Sequence, residues 1–403
     1  MVIGVIGAGA SGMAAALAAA ENENVQVLLF ERQSRVGRKL QATGNGRCNL
    51  SNLHLGQENY HGTAPQFADS ALSQFGVQDT LAWFQSLGLY TVAEESGKVY
   101  PYSDQANSVV DVLRFALNKP NVQLFTGVEI QKIQKCEDGF ALESEEKTYH
   151  CQKVIVCCGG IAGSKLGGTL SGYQLLGKLG HKSTRLRPCL VQLVTGWKEM
   201  ASLKGVRANC RAMIYHGDKV YAQSTGEVQF TEIGVSGPVI FEISRDVCQE
   251  RGSWTCHLDL LPHIEAEELK QELRRRRQSN LPMEELLTGI LHNRLGRVLT
   301  KVSGISGKMA RELTDREIQQ LCQTVKDFAL PLKEPLGMDS AQVTAGGVLT
   351  EGFHPQTMES LYVPGLYACG EVLDIDGDCG GYNLQWAWSS GRVAGLHAGK
   401  ETV

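Results

Sequence analysis

The sequence predicts an α/β fold in which a parallel sheet with flanking helices is interrupted by a two-part insertion. Three observations predict it. Strand-like and helix-like segments alternate near the N-terminus. From about residue 190 the sequence pattern changes to a series of short strands. Near the C-terminus a strand and a helix follow that again resemble the N-terminal segments. We expect residues 1–189 and 337–403 to form one domain around an insertion of strands (190–260) and helices (261–336).

The first strand, turn and helix carry a dinucleotide-binding pattern. Residues 2–6 are a β-branched apolar run typical of a buried parallel strand, and the alanine-rich residues 10–21 indicate a helix. The pattern Gly7-x-Gly9-x-x-Gly12 lies on the turn between them, where the chain must bend sharply, approach a pyrophosphate and pack helix on strand. The phosphates would lie at the positive N-terminus of the helix.

A second strand places a carboxylate where a nucleotide ribose is bound. Val25 to Phe30 is an apolar strand followed by Glu31, about 20 residues past the last glycine of the turn. A carboxylate there accepts hydrogen bonds from the adenosine ribose hydroxyls. The first 20 residues carry no charge, but their four glycines and the lack of a basic n-region disfavour a secretory or membrane segment.

The stretch from Ser34 to Asn52 is polar and punctuated by glycine, so we expect neither a regular helix nor a regular strand in it. A loop this long inside a compact domain usually binds a ligand. The elements that follow are predicted from apolar periodicity. They are a helix over 105–119; strands over 122–125, 129–135, 140–144, 148–151 and 154–158; insertion strands over 211–215, 219–223 and 227–231; and insertion helices over 265–277, 283–292 and 315–328.

Composition and charge narrow the function classes. The formal net charge of −4 gives no bulk attraction to nucleic acid or to a membrane, so we expect neither as a partner. The arginines at 274–277 follow four glutamates on one predicted helix, which is typical of a solvated helix face. The 12 cysteines lack paired C-x-x-C spacing, which argues against a metal cluster and favours reduced thiols in a cytoplasmic protein.

The C-terminal segment supplies a second glycine-rich turn. Residues 365–371 form a strand that ends in Gly370 and Glu371, and a second glycine pair, Gly380-Gly381, opens a final helix that runs to His397. A strand end and a helix start lined by glycine make an anion-facing nest. We interpret the two glycine-rich segments as halves of one flavin-dinucleotide site.

These motifs resemble those of the bacterial FAD-dependent oxidoreductases of the BaiN or aminoacetone-oxidase-like family, over essentially the whole chain. More distantly, they are similar to the flavin motifs of fumarate reductases and ketosteroid dehydrogenases in the glutathione-reductase superfamily. The matching stretches are residues 7–12, 31–32, 37–40, 43–49, 226–231, 234–238 and 370–391. The resemblance implies a Rossmann-like FAD-binding domain of the glutathione-reductase type, whose insertion has a β-barrel-like part and a small helical part that covers the flavin.

The resemblance also assigns roles to residues. Glu31 would hold the adenosine ribose, Arg38 and Lys39 the phosphate and ribityl region, Val128 the adenine edge through its backbone, and Glu371 the ribitol. The loop 43–49 would lie along the isoalloxazine, and the backbone N–H groups of Asn383 and Leu384 would face N1 and O2, where hydride transfer builds negative charge. The full set of expected FAD contacts is Gly7, Gly9, Ala10, Ser11, Gly12, Glu31, Arg32, Arg38, Lys39, Thr43, Gly44, Gly46, Val128, Gly370, Glu371, Gly381, Asn383 and Leu384.

The expected activity is a two-electron oxidoreduction of a small molecule, in which hydride passes from NADH or NADPH through FAD to an organic acceptor such as an enone C=C bond. No second strand-linked G-x-G-x-x-G follows, so a nicotinamide would bind without its own nucleotide fold. Reduction of an enone also needs a proton donor and a partner for the carbonyl oxygen. The candidates are Arg47, Tyr100, Tyr102, Ser103, Asp104 and Tyr382. Cys48 is a further candidate as a redox thiol, although packing of a small side chain is the favoured interpretation.

Three alternatives stay open. A flavin oxidase that uses O2 on an amine would keep the same site and would release peroxide. A flavin-dependent RNA-modifying protein would need a basic face, which the charge balance disfavours. A non-catalytic flavin-binding protein is the third alternative, because a fold does not determine a function.

Overall fold

The computed structural model describes residues 1–249 and 252–400, and the chain divides into two compact units. The first unit comprises Met1–Pro188 and Gln342–Val403, and the second, which we call the inserted unit, comprises Cys189–Ala341. In chain order the first unit begins with β1 (Val2–Ile6), α1 (Ala10–Ala19), β2 (Gln26–Glu31), α2 (Arg38–Ala42), β3 (Ser51–Asn52), β4 (Tyr60–His61), α3 (Phe67–Gln74), α4 (Val77–Ser86), β5 (Thr91–Ala93), β6 (Lys98–Pro101), α5 (Ala106–Ala116), β7 (Val122–Thr126), β8 (Lys132–Cys136), β9 (Gly139–Glu143), β10 (Thr148–Cys151), β11 (Lys153–Val156), α6 (Ser171–Lys178) and β12 (Arg187–Cys189).

The inserted unit follows and the chain then returns to the first unit. The inserted unit contains β13 (Leu193–Val194), β14 (Arg207–His216), β15 (Lys219–Phe230), β16 (Gly234–Ser236), α7 (Pro238–Gln249), β17 (Trp254–Asp259), α8 (Ala266–Arg276), α9 (Asn293–Val302), α10 (Asp315–Lys326) and β18 (Phe328–Pro331). The returning segment contains β19 (Val343–Ala345), β20 (Leu366–Ala368), β21 (Asp376–Gly377) and α11 (Tyr382–Ala398).

A five-stranded parallel sheet in the order β20-β11-β1-β2-β7 forms the centre of the first unit. On the central strand β1, the side chains of Val5 and Ile6 point to opposite faces of the sheet and are both buried, as expected for a parallel sheet covered on both faces. The edge strand β20 comes from the C-terminal return and pairs with β11. The sheet therefore needs both ends of the chain, and the predicted α/β fold with a Rossmann-type parallel sheet is confirmed.

The inserted unit combines an antiparallel sheet with helices. The sheet has the order β13-β16-β15-β14-β17-β18, and a bridge between Thr195 and Leu332, supported by a 2.8 Å hydrogen bond from the Lys333 N–H to the Val194 carbonyl, joins its two edge strands. The sheet closes on itself in this way, which is the barrel-like arrangement that the resemblance implies. Helices α8, α9 and α10 bury an apolar face that includes Leu273, Leu295, Leu299 and Leu321.

Three local predictions are wrong. The stretch 34–52 contains the short helix α2, which buries Leu40, and ends in β3. The predicted helix 283–292 is only a 3-10 turn at its start, because Gly289 adopts a left-handed φ of 81° and the ring of His292 accepts a hydrogen bond from the Arg294 N–H, so the helix α9 begins after His292. The predicted strands 219–223 and 227–231 are one continuous strand, β15.

Within residues 1–249 and 252–400, no helix combines the length and the apolar character needed to cross a bilayer. The same part of the chain contains no cluster of three or more histidine, cysteine or carboxylate side chains that could hold a metal ion.

Candidate functional site

The turn between β1 and α1 shows why each of its three glycines is needed. Gly7 has a left-handed φ of 102°. A Cβ at Gly12 would overlap the carbonyl oxygen of Gly7, so the helix can lie against the strand only when this position is glycine. A Cβ at Gly9 would meet no atom within 4 Å. The space in front of Gly9 is therefore open to a ligand.

Glu31, at the end of β2, is held beside this turn by backbone donors. Its carboxylate accepts hydrogen bonds from the N–H groups of Ala8 at 2.9 Å and Gln33 at 2.8 Å. The N–H of Val128 donates to the Glu31 carbonyl at 2.9 Å, so an adenine contact from Val128 would have to use its carbonyl. The Arg32 guanidinium donates to the Gly168 carbonyl at 3.3 Å.

The two glycine-rich halves of the chain meet at Ser11. Gly370, with φ of 74°, lies so close to Ser11 that a Cβ on it would overlap the serine hydroxyl. Gly391 of α11 packs against the backbone carbonyl of the same serine in the same way. The Gly370 N–H donates to the Ser390 hydroxyl at 3.0 Å. The N-terminal and C-terminal glycine-rich segments therefore lie side by side within the first unit.

An ion pair joins the loop after β2 to the C-terminal strand end. Lys39 on α2 donates to both carboxylate oxygens of Glu371, at 3.0 and 2.7 Å, and the Thr344 N–H donates to the same carboxylate at 2.9 Å. Arg38 instead points to the Gln33 side chain, with a 2.8 Å hydrogen bond to its amide oxygen. Of the two predicted basic residues, only Lys39 contacts the predicted ribitol-binding carboxylate.

The N-terminus of α11 is shaped by Gly381 and Asn383. Gly381 has φ of 102° and starts the helix without a side-chain cap. The Asn383 side chain donates to the Gly377 carbonyl at 2.7 Å and accepts from the Gly377 N–H at 2.8 Å, which orders the preceding turn. The side chain is thus used for positioning, and the backbone N–H groups of Asn383 and Leu384 lie in the first turn, where a helix offers donors to an anion. Tyr382 is buried, and its carbonyl accepts a 3.1 Å hydrogen bond from the Tyr60 hydroxyl.

The loop 43–49 adopts left-handed backbone conformations at several positions. The residues with positive φ are Gly44, Asn45, Gly46 and Cys48, with values of 57°, 56°, 86° and 63°. Thr43 anchors the loop start through a 2.7 Å hydrogen bond from its hydroxyl to the Leu40 carbonyl. The loop is therefore a defined structure, and its strain at the non-glycine positions is typical of a ligand-binding segment.

Asn49, at the end of this loop, carries a polar atom without a protein partner. Its side-chain oxygen is buried and accepts no hydrogen bond from any described residue, and it lies 2.9 Å from the position that a Cβ on Gly381 would take. A buried acceptor without a donor costs free energy. A bound isoalloxazine, which carries a ring N–H, would supply such a donor. The open space at Gly9, the close approach of the N-terminal and C-terminal glycine-rich segments at Ser11 and this orphaned oxygen together fit FAD.

Several predicted catalytic residues are brought together beside the loop. Arg47 donates to the carboxylates of Asp104 and, at 3.1 Å, Glu94, and its guanidinium lies 3.9 Å from the centre of the Tyr100 ring. The hydrogen bond that Arg47 donates to Asp104 raises the pKa of Arg47, and burial raises the pKa of Tyr100, so the first stays cationic and the second stays protonated. Ser103 is turned away and bonds the Ser108 hydroxyl at 2.8 Å.

Cys48 lies in a different environment from a reactive thiol. Its side chain is fully buried, and burial raises the pKa of the thiol to about 12. The thiolate that nucleophilic or redox chemistry requires is therefore scarce near neutral pH. The structure supports the packing interpretation of this residue.

We expect iodoacetamide to modify the exposed Cys136 and to leave Cys48 unmodified in the folded protein at pH 8, because a pKa raised from 9.0 to about 12 lowers the thiolate fraction about a thousandfold. Peptide mass spectrometry after short labelling measures both sites in one sample. Cys48→Ala should keep its flavin and its turnover. Equal labelling of the two cysteines, or an inactive but flavin-loaded Cys48→Ala, would contradict the packing role.

Sequence reasoning missed other residues at the site. Asn49 lay within a matching stretch, yet nothing in a single sequence indicates that its amide oxygen lacks a donor. Thr344 contributes only its backbone N–H to Glu371, for which a sequence carries no signal. The pair formed by His61 and Asp378, 2.6 Å apart, arises because β4 pairs with β21.

These features define a protein with a Rossmann-type FAD-binding fold to which both ends of the chain contribute. The chain belongs to the family described as HI0933-like protein Rossmann domain, which matches residues 1–397. The prediction that this chain is an FAD-dependent oxidoreductase is thereby confirmed. The chain is similar to the 3-dehydro-bile acid delta(4,6)-reductase of Clostridium scindens, with 40% identity over 98% of each chain.

Two further relatives extend the comparison. The ribosomal RNA dihydrouridine synthase of Escherichia coli is 32% identical over 96% of this chain and 95% of its own length. Among solved structures, the FrdA chain of E. coli quinol fumarate reductase superposes with a TM-score of 0.51 at 18% identity, covering 99% of this chain and 70% of that one. The structural similarity at this identity establishes the fold alone.

Proposed function

We propose that this protein is a reductase that uses FAD to saturate a C=C bond conjugated to a carbonyl group, with NADH or NADPH as the electron donor. The observation that carries the proposal is the 40% identity, over nearly the whole chain, to a reductase of unsaturated 3-dehydro bile acids. Such a substrate is an enone, in which hydride adds to the carbon distant from the carbonyl and a proton adds to the nearer one. Bound FAD would supply the hydride.

Residues of the chain itself would stabilise the developing negative charges and supply the proton. The backbone N–H groups of Asn383 and Leu384 at the α11 N-terminus would stabilise negative charge on the reduced cofactor without reorganisation. Arg47 is held by two carboxylates and the Tyr100 ring, and it would receive the carbonyl oxygen as that oxygen gains negative charge. The Tyr100 hydroxyl would donate the proton; burial raises its pKa, and the adjacent Arg47 cation opposes that shift by favouring the tyrosinate that donation leaves behind.

Anaerobic stopped-flow mixing tests this proposal. We expect NADH or NADPH to bleach the flavin absorbance, and cyclohexenone or testosterone to restore it with formation of a product that carries two more hydrogens. An Arg47→Met variant should keep its flavin and lose most of the enone-dependent reoxidation. Release of peroxide with oxidation of an amine, without bleaching by either nicotinamide, would establish the oxidase alternative instead.

A second candidate acceptor is the uracil ring in RNA. The relatives described as ribosomal RNA dihydrouridine synthases support it, because uridine also carries a C=C bond conjugated to a carbonyl. The net charge of −4 weighs against it, as does the pairing of the basic run, in which Arg275 and Arg276 bond Glu272 while Arg274 and Arg277 bond Asp315. Mass spectrometry of ribosomal RNA transcripts after incubation with the reduced enzyme discriminates the two acceptors.

A further inference from the structure

One face of the β5–β6 hairpin exposes aromatic and apolar side chains that do not pack into the core of the first unit. Val92 of β5 pairs with Tyr100 of β6, and the Tyr102 N–H donates to the Tyr90 carbonyl at 2.8 Å, so the same register continues beyond the strands. Since alternate residues share a face, Tyr90, Val92, Tyr100 and Tyr102 lie on one side of the hairpin. Tyr90, Val92 and Tyr102 are 68%, 44% and 76% exposed.

This face is continuous with the cofactor site. Tyr100 is only 8% exposed, because the Arg47 guanidinium covers its ring. A Cβ at Gly44 would lie 3.5 Å from the Tyr100 ring, and a Cβ at Gly380 would lie 3.5 Å from the Lys98 side chain. The hairpin therefore touches both the loop 43–49 and the turn before α11. From there its exposed face runs outward to Tyr90 and Tyr102.

The charges around the face favour a neutral occupant. The hairpin, the turn that follows it and the arginine that covers Tyr100 contribute two cations, Arg47 and Lys98, against three carboxylates, Glu94, Glu95 and Asp104. Arg47 is already engaged by two of these carboxylates. An excess of negative charge repels a phosphate backbone, whereas aromatic rings present large rigid apolar area at a low cost in conformational entropy.

From the register, the exposure and the charge we propose that Tyr90, Val92 and Tyr102 form a docking platform for the fused apolar rings of a polycyclic enone, whose reacting end lies at Arg47 and Tyr100. This platform adds a substrate-binding surface to the proposed function. Only the placement of the substrate's reacting end at Arg47 and Tyr100 depends on that function. Scattered exposed apolar residues are ordinary, but three in register beside a reaction site form a surface that a flat hydrophobic molecule can cover.

The experiment compares a polycyclic with a monocyclic enone. In the flavin-loaded double variant Tyr90→Ser/Val92→Ser, we expect the KM for testosterone to rise at least about tenfold, while kcat with testosterone and both constants with cyclohexenone change less than about twofold. The matched control is Leu361→Ser, an exposed apolar residue of the same unit outside the hairpin, which should change neither. Equal losses with both enones, or no change with testosterone, would overturn the platform.

A binding measurement separates this proposal from the function. Calorimetric titration of the oxidised, flavin-loaded protein with testosterone needs no turnover, and the double variant should bind at least about tenfold more weakly than the wild type. If the wild-type protein binds testosterone more tightly than the double variant does but does not reduce it, the platform is supported and the reductase function is refuted. If the wild-type protein does not bind testosterone, or if Tyr90 and Val92 are instead needed to bind an oligoribonucleotide, the platform is refuted.

Discussion

Gly9→Ala is expected to yield a protein that folds as the wild type does but binds FAD more weakly and retains less of it through purification. The backbone at Gly9 has φ of −80° and ψ of −165°, a region that alanine adopts without strain, and the added methyl group meets no protein atom within 4 Å. It would occupy the space through which a pyrophosphate approaches the α1 N-terminus. Overpacking of this kind costs about 1–3 kcal/mol, so we expect FAD affinity to fall by about ten- to a hundredfold.

Two other glycines serve as controls for this variant. Gly12→Ala should lose its fold as well as its flavin, because the methyl group would overlap the Gly7 carbonyl, a backbone atom that cannot move aside. Gly177→Ala, on α6, meets open space in a helix and should be neutral or slightly stabilising. The ratio of flavin to protein absorbance reports the cofactor, and thermal unfolding of the flavin-free proteins reports the fold. Wild-type flavin content in Gly9→Ala would contradict the prediction that the pyrophosphate of FAD lies against Gly9.

Glu371→Gln is expected to give a pale, folded protein whose FAD affinity is reduced about tenfold or more, because hydrogen bonds to charged groups contribute about 1.5–3 kcal/mol. Glutamine keeps an oxygen that can accept from the Thr344 N–H, but it removes the charge that faces Lys39. The carboxylate is also the group that would bind the ribitol hydroxyls. Equilibrium dialysis of the flavin-free proteins against FAD measures the effect.

A double-variant cycle with Lys39→Met identifies the source of the loss. The ion pair is partly exposed, so we expect it to contribute less than about 1 kcal/mol to the stability of the flavin-free protein. If Glu371 acts through FAD, its replacement should weaken cofactor binding in the Lys39→Met background too. The exposed Glu351→Gln is the matched control and should stay yellow. Undiminished flavin in Glu371→Gln would contradict the assignment of this carboxylate.

The dinucleotide turn was predictable because its determinants are close together in the chain. A strand, three glycines and a helix within the first 20 residues satisfy a steric requirement that no other spacing meets, and Glu31 follows at the end of the next strand. The structure places Ala8, beside these glycines, within 2.9 Å of the Glu31 carboxylate. Local steric requirements were therefore sufficient to predict the dinucleotide turn.

Helix boundaries in the inserted unit were less predictable. The segment 283–292 has the apolar spacing of a helix, yet the left-handed turn at Gly289 and the cap by His292 delay the helix to Asn293. A single sequence shows the apolar period but not whether a glycine within it will turn left-handed.

The sequence by itself determined the cofactor class and the parallel sheet, because both follow from short-range patterns of glycine, apolar residues and one carboxylate. Only the tertiary structure decided which polar groups face one another: Lys39 and Glu371 are 332 positions apart, and Arg47 meets Asp104 across 57. Such contacts depend on the close packing of α1 against α11 through glycines and on the register of the β5–β6 hairpin. No local pattern encodes them, since each forms only when distant segments have already been brought together by the core.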